Sequence, residues 1–394
     1  MAASDFFDAP APWSRYKHDI LGKYLHTWSS KLQYRNKDLV FVDACAGRGT
    51  YDDGSPGSPV LAAGLNDELL AKHHARLTVV ACEKDPAAAK ALALELEPWA
   101  SRTPPLAIIH PRPFEEVLDA IVAVTRDRPT FFFIDPYGIK SLKRERLRPL
   151  LEDRGREPTE VLMRVDSRAL ERISGWWRRK ERNERGQKTA ESCRELLADL
   201  GIGEEVVKEA AGTNQRGARL LRAYLEDLHA RFRFVRTIPI RSRYDGAVKY
   251  HLVHATDHAD GLILSNDVVS GVEDDLFEDF DRDDTQTELF APKRPPRASR
   301  KQLLAYIRAV LSDELWMPFR ELQVCIVRKF ESDFRSRDHR RAVKQLRDDG
   351  QLELRPADRA IRPTTRLRLT TAPDQARPPR PHRRRSTPKA PSRG

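Results

Sequence analysis

Val40-Phe41-Val42-Asp43-Ala44-Cys45-Ala46-Gly47-Arg48-Gly49-Thr50-Tyr51 decides the fold of this chain. A run of β-formers ends in a carboxylate, and two glycines follow at once. A buried parallel strand enters a tight turn in this way when the turn's backbone lies against a nucleotide-like ligand, because any Cβ would block the approach. An ordinary strand-to-helix turn has the same local pattern, so the neighbours of the turn decide between the two.

Upstream, Tyr16, Ile20, Tyr24, Leu25, Trp28 and Leu32 recur at helical spacing and predict an amphipathic helix over 14–32. Downstream, helical patterns over 61–72, 86–97 and 114–125 alternate with strand patterns over 77–82, 106–109, 130–134 and 161–165. The run Thr130-Phe131-Phe132-Phe133-Ile134 is apolar after its first residue, as expected of a strand covered on both faces. Alternation of this kind predicts an α/β fold with a parallel sheet wound by crossover helices. It closes differently, with β-rich runs over 232–240 and 248–255 joined by a segment containing Asp245-Gly246, a hairpin signal. A mostly parallel sheet that ends in an antiparallel hairpin is the Rossmann-like arrangement of S-adenosylmethionine-dependent methyltransferases and speaks against a nicotinamide dehydrogenase.

The 394 residues, 40% of them hydrophobic, are enough for more than one domain. No apolar run approaches the roughly 20 residues of a membrane span, and the N-terminus lacks the pattern of a secretory signal. A cytoplasmic protein with no membrane partner is expected. Cys45, Cys82, Cys193 and Cys325 are scattered, which argues against a structural metal or redox dithiol. His251, His254 and His258 stand near metal spacing, but residues three apart on a strand face opposite sides, so no metal site is assigned.

The formal net charge of +11 suggests a polyanionic partner, and its distribution divides the chain. Residues 1–270 form the α/β domain, interrupted over about 168–203 by a basic segment with Trp176, Trp177, Arg178, Arg179 and Lys180. That segment is either a solvated helical insertion docked by its tryptophans or a substrate lid whose arginines take phosphates. Residues 271–298 are acidic and then proline-rich, from Glu273, Asp274 and Asp275 through Pro295, and read as a linker. Three helical patterns and two short strand-like runs within 299–370 describe a winged helix. Arg340, Arg341 and Lys344 on its third helix are candidate DNA or RNA contacts, although such units also dock proteins. The basic, proline-rich tail 371–394 has little to bury and is expected to be disordered.

Two further strand tips carry the chemistry. Glu83 ends the second strand about 40 residues after Asp43, where a carboxylate can accept hydrogen bonds from both ribose hydroxyls of an adenosine. The fourth strand runs into Asp135-Pro136-Tyr137, which resembles the Asp/Asn-Pro-Pro-aromatic motif of methyltransferases that modify exocyclic amines, although one proline is missing. In that motif the first side chain and a proline carbonyl accept hydrogen bonds from the amine, and the aromatic ring stacks on the base. Asp43, Ala44, Gly47, Gly49 and Glu83 are the candidate cofactor residues, with Phe114 as a packing surface for adenine.

The segments Lys17-His18-Asp19-Ile20-Leu21, Val42 to Gly49, Gly54-Ser55-Pro56-Gly57-Ser58-Pro59, Ile134 to Gly138 and Tyr250 to Thr256 together resemble the three-Cys-motif partner family. Members of that family look like class I methyltransferases, and relatives carry a winged helix after that domain. The resemblance implies S-adenosylmethionine as cofactor and a separate partner that resembles a radical S-adenosylmethionine enzyme. The expected function is methyl transfer to a nucleic-acid base amine, with Asp135, Pro136 and Tyr137 presenting the acceptor. The alternative is a non-catalytic adaptor that binds nucleic acid and supports the partner.

Overall fold

The computed structural model describes residues 12–152, 157–177, 184–241, 247–282, 296–357 and 360–370. Arg178, Arg179, Lys180, the Asp245-Gly246 pair, residues 283–295 of the acidic and proline-rich stretch, and the basic tail all lie outside them. The chain opens with α1 (Pro12–Leu32), followed by β1 (Asp38–Asp43), α2 (Ser58–Glu68), β2 (Arg76–Cys82), α3 (Pro86–Ala100) and β3 (Ala107–His110). It continues through α4 (Leu118–Thr125), β4 (Thr130–Ile134), α5 (Arg144–Leu151) and β5 (Thr159–Val165). Among the described residues, four helices then follow without an intervening strand: α6 (Ser167–Trp177), α7 (Glu184–Asp199), α8 (Glu204–Ala211) and α9 (Arg216–Arg231). The strands β6 (Phe234–Arg241) and β7 (Val248–Thr256) and the long α10 (Ala259–Arg282) complete this part.

The seven strands lie in the order β3-β2-β1-β4-β5-β7-β6. β1 to β5 are parallel, and β7 inserts antiparallel between β5 and β6. The sheet is therefore Rossmann-like and ends in the expected antiparallel pair. Its order reverses between β1 and β4, and the crevice beyond the carboxyl ends at such a switch point is where open α/β sheets bind ligands. Asp43 ends one of these two strands, and Asp135 directly follows the other.

Both faces of the sheet are covered, which is why its strands read as continuous apolar runs. Val40, Val42, Phe132 and Ile134 point to one face, where Ile121, Leu150, Leu170, Leu197, Leu220 and Tyr224 of the helices from α4 to α9 pack on them. Phe41, Phe131 and Phe133 point to the other, against Leu21, Trp28, Ala62, Leu92 and Val269 of α1, α2, α3 and α10. Each fully buried phenylalanine contributes about 1.5–3 kcal/mol relative to exposure. The described residues of the basic segment, read either as a solvated insertion or as a substrate lid, thus contribute to the core. Leu170, Leu197, Leu200 and Ile202 seat it on the sheet, while Trp176 is half-buried.

A second correction concerns 271–298. Its first part, to Arg282, continues α10, because Val268, Val269 and Val272 present an apolar stripe to the core. The acidic residues there are not all solvated, since Asp274 pairs with Arg335 and with Arg297 at 2.9 Å. The remaining elements are α11 (Arg300–Val310), β8 (Met317–Pro318), α12 (Phe319–Phe330), α13 (Ser336–Asp348), β9 (Leu352–Arg355) and β10 (Arg366–Leu369). These three helices and the antiparallel sheet β8-β10-β9 enclose a core of their own around Ile307, Phe319, Leu322, Val343, Leu346 and Leu367. The capping box of Ser299 and Gln302 starts the unit.

The C-terminal unit docks on α10 through buried and partly buried polar contacts. Asn266 Nδ2 donates to Phe334 O at 2.7 Å, Ser336 N–H donates to Asp267 Oδ1 at 2.8 Å, and Arg335 donates to Ser270 O at 2.9 Å and to Asp274. Arg335→Ala leaves Asp274 and the Ser270 carbonyl short of a donor, and should cost about 2 kcal/mol in chemical denaturation. A loss below about 0.5 kcal/mol would mean that Arg335 acts only as an exposed ion pair.

Candidate functional site

The turn after β1 is built around a buried carboxylate. Asp43 has no exposed surface; its Oδ2 accepts from Ser58 Oγ at 2.5 Å and its Oδ1 from Cys45 N–H at 3.1 Å. The first residue of α2 is thereby tied to the tip of β1. Burial is the largest influence on Asp43 and pushes its pKa up to about 7, against the lowering effect of these two donors. Between the tied ends the chain folds back on itself, with Thr50 bridged to Pro56 and Gly57 N–H donating to Gly49 O at 2.6 Å.

Glycine is required at specific points of this turn. Gly47 and Gly49 have φ of 66° and 95°, in the left-handed region. A Cβ on Gly57 would stand 2.8 Å from the carbonyl oxygen of Gly49. The Gly-Ser-Pro segment is therefore a close backbone crossing that seats the glycine turn.

Glu83, just beyond β2, reaches this turn. Its Oε2 accepts from Gly47 N–H and its Oε1 from Asp85 N–H, each at 2.8 Å. Each oxygen keeps a lone pair for a further donor, so the residue both orders the turn and can still accept from a diol. Asp43 and Ala44 are buried and shape the cleft from behind. Phe114 differs from expectation, since at 1% exposure it belongs to the core cluster with Ala44 and Cys82 and offers no free ring face to a base. Cys45 and Cys82 behave as packing residues, and burial pushes both thiols up, Cys82 to about 12.

Beyond β4, Asp135 faces the same cleft. Its Oδ2 accepts from Lys17 of α1, and its Oδ1 lies 3.4 Å from Arg164 of β5, whose guanidinium stacks 4.5 Å from the Tyr250 ring centroid. Burial pushes the Asp135 carboxyl up, but Lys17 and Arg164 outweigh it and hold the group below the ordinary range. His18 is driven down to about 4 by burial and by Lys17, so it is neutral at pH 7. Pro136 is buried, whereas Tyr137 is 65% exposed at the cleft's edge.

The cleft is bounded by Lys17, Gly47, Gly49, Tyr51, Asp135 and Tyr137, and encloses about 60 Å³. That volume is smaller than a nucleoside, and exposed Tyr137 with half-buried Arg48 and Tyr51 stands at its edge. The sequence did not single out Lys17 or Arg164 as site residues. Both had a visible signal: Arg164 is a lone cation inside the apolar run 161–165, and Lys17 is a lone cation on the apolar face of the first helix, in line with Leu21, Tyr24 and Trp28.

Arg340, Arg341 and Lys344 lie exposed on α13, far in sequence from the cleft, while Arg178, Arg179 and Lys180 are outside the described residues. Among the described residues no cluster of side chains could hold a metal, and no helix is long and apolar enough to cross a membrane. His254 instead contacts buried Glu160, with Nε2 3.2 Å from Oε2.

No protein-family model and no curated protein matches the chain. Among solved structures, it is similar to an O-methyltransferase from Bacillus cereus in complex with SAH, at 16% identity over 60% of this chain and 80% of that one, with a TM-score of 0.31. A candidate O-methyltransferase from Klebsiella pneumoniae matches at 14% identity over 60% and 80%, also with a TM-score of 0.31. The protein LPL1258 of Legionella pneumophila matches at 13% identity over 60% and 84%, with a TM-score of 0.34. At such values the strand order itself remains the ground for the fold.

Two outcomes follow from the turn. Gly57→Ala should lower stability by about 1–3 kcal/mol, whereas Gly64→Ala, on an open face of α2 with nothing within 4 Å of its added Cβ, should be neutral or gain up to about 1 kcal/mol. Thermal unfolding distinguishes them, and equal shifts would show that the crossing at Gly49 yields freely. Asp43 titrates near 7 when folded against 3.8 in the reference state, so the native chain binds the extra proton between these values. Its contribution to stability therefore falls as pH rises from about 4 to 7 and is flat above. Urea unfolding at pH 5 and pH 8 should show wild type losing ground to Asp43→Asn over that interval; a constant difference would mean that native Asp43 is already ionised at pH 5.

Proposed function

We propose that the chain is a cytoplasmic S-adenosylmethionine-dependent methyltransferase acting on an amine of a nucleic-acid base, in company with a three-Cys-motif radical S-adenosylmethionine-like partner. The observation that carries this reading is the convergence of the Gly47–Gly49 turn, Glu83 and Asp135 at the switch point of a sheet ordered β3-β2-β1-β4-β5-β7-β6. A similar solved structure is described as a complex with SAH, which agrees with the cofactor but does not assign it.

The residues present fit such a cofactor. The left-handed glycines clear space for backbone approach, and Glu83 keeps acceptor capacity for ribose hydroxyls. When bound, the cofactor supplies an electrophilic methyl group on a sulfonium. Asp135, held ionised by Lys17 and Arg164, retains lone pairs that can accept from an amine but is too weak a base to remove its proton before attack. Its part is alignment, which leaves the nitrogen lone pair directed at the methyl carbon. With Gly47, Gly49 and Glu83 holding it, the cofactor would supply the methyl group, and the proton lost from the amine would pass to water rather than to Asp135. Tyr137, exposed beside Asp135, is placed to stack on the base. A base within a duplex would have to be flipped out to reach it. We assign the C-terminal unit, with three helices and a small sheet, as a winged helix that carries nucleic acid on the Arg340, Arg341 and Lys344 side of α13.

The second reading, an adaptor without catalysis, is favoured by one observation. Asp135 is already engaged by two cations, as a purely structural carboxylate would be.

Calorimetric titration with S-adenosylhomocysteine, followed by transfer of labelled methyl to DNA and RNA with and without the partner, tests both. Wild type should bind, Glu83→Ala should weaken binding by tenfold or more, and Asp135→Asn should lose transfer with affinity nearly unchanged. Absence of binding by wild type overturns the cofactor assignment. Binding without transfer to any nucleic acid supports the adaptor.

A further inference from the structure

A second cavity, of about 820 Å³, shares Tyr137 with the glycine-turn cleft. It is framed by α6, α7 and the segment that follows Tyr137. Its floor is apolar: Ile139 and Ala169 are buried, and Ile173 and Leu196 pack partly against the core. Its rim is cationic, with Lys140, Arg172, Arg185 and Lys188 all exposed, against the carboxylates Asp166 and Glu184. None of the four cations is paired with a carboxylate among the described residues. Asp166 is partly committed, since its Oδ1 accepts from Ala169 N–H at 3.0 Å.

The combination is selective. An apolar floor with a tyrosine at its edge suits a flat ring, and four cations with no ion-pair partner among the described residues suit an anion attached to that ring. A volume of 820 Å³ falls within the usual range for small-molecule sites. Solvated surface cations ordinarily intersperse evenly with acids, whereas here four cations face two carboxylates around one concavity. Tyr137 lines both spaces, so the cavity adjoins the cleft that Asp135 faces.

We propose that this cavity binds a single nucleotide unit, with its base on the apolar floor against Tyr137 and its phosphate on Arg172, Arg185 and Lys188. Its role as the acceptor site rests on the methyltransferase reading, whereas the binding itself does not.

The test is calorimetric titration of the full chain with adenosine and cytidine 5′-monophosphates and with inorganic phosphate, each with and without excess S-adenosylhomocysteine. At least one mononucleotide should bind in the presence of S-adenosylhomocysteine, and inorganic phosphate should bind at least tenfold more weakly. The double variant Arg172→Glu, Lys188→Glu should weaken the mononucleotide at least tenfold, as should Tyr137→Ala. Arg222→Glu, an exposed change on α9 outside the cavity, should leave binding unchanged. The proposal is overturned if no mononucleotide binds, if the double variant binds as well as wild type, or if phosphate binds as tightly as the mononucleotides. S-adenosylhomocysteine affinity of the double variant, expected to equal that of wild type, separates the two claims. Mononucleotide binding in a chain that does not bind S-adenosylhomocysteine would uphold the cavity and sink the methyltransferase reading.

Discussion

A carboxylate with no exposed surface stands at the tip of β1, and the geometry of the cleft depends on it. Leaving Asp43 unsatisfied there would carry a large desolvation cost, so the chain must bring it donors. It does so by turning back after Tyr51 until Ser58, the first residue of α2, reaches the strand tip. That return path forces the backbone of Gly57 against Gly49, which only a residue without a Cβ permits. One buried acid thereby sets the shape of the loop, the start of a helix and the identity of a glycine.

Two other carboxylates fasten α1 to the sheet, and one of them also forms part of the cleft. Glu160 of β5 accepts from Tyr24 of α1 and from Thr256 Oγ1 at 3.1 Å, with His254 3.2 Å away. All four groups are buried, and Glu160 gathers the other three while His254 Nδ1 is left without a partner among the described residues; the network specifies how α1 crosses the strands. Two turns earlier on the same helix, Lys17 meets Asp135. The helix before the first strand is therefore a wall of the cleft as well as cover for the core. The electrostatic consequence is local, because Lys17 and Arg164 keep Asp135 ionised and thereby confine it to accepting hydrogen bonds.

Much of the fold was legible because burial on both faces leaves a strong mark. The phenylalanines 131–133 and the alternation of strand and helix patterns are consequences of a covered parallel sheet, so the sequence period reports them directly. The acidic stretch after 270 misled for an opposite reason. Composition counts charges without their partners, and Asp274 has Arg297 and Arg335 from a unit that begins more than twenty residues later. Phe114 misled similarly, since an aromatic ring near a strand tip has the same local pattern whether it faces a cleft or the core.

By itself, the sequence determined the sheet, the glycine turn at its switch point and the carboxylates Glu83 and Asp135 at neighbouring tips, because each is encoded within a few consecutive residues. Tertiary structure alone decided what those groups meet: Lys17 against Asp135 across 118 residues of chain, Arg164 beside it, and a cation-rimmed cavity that shares Tyr137 with the cleft. The physical reason is that backbone conformation follows from local sterics and hydrophobic period, whereas charge pairing and concavity depend on which distant surfaces the sheet's winding brings within a few ångströms.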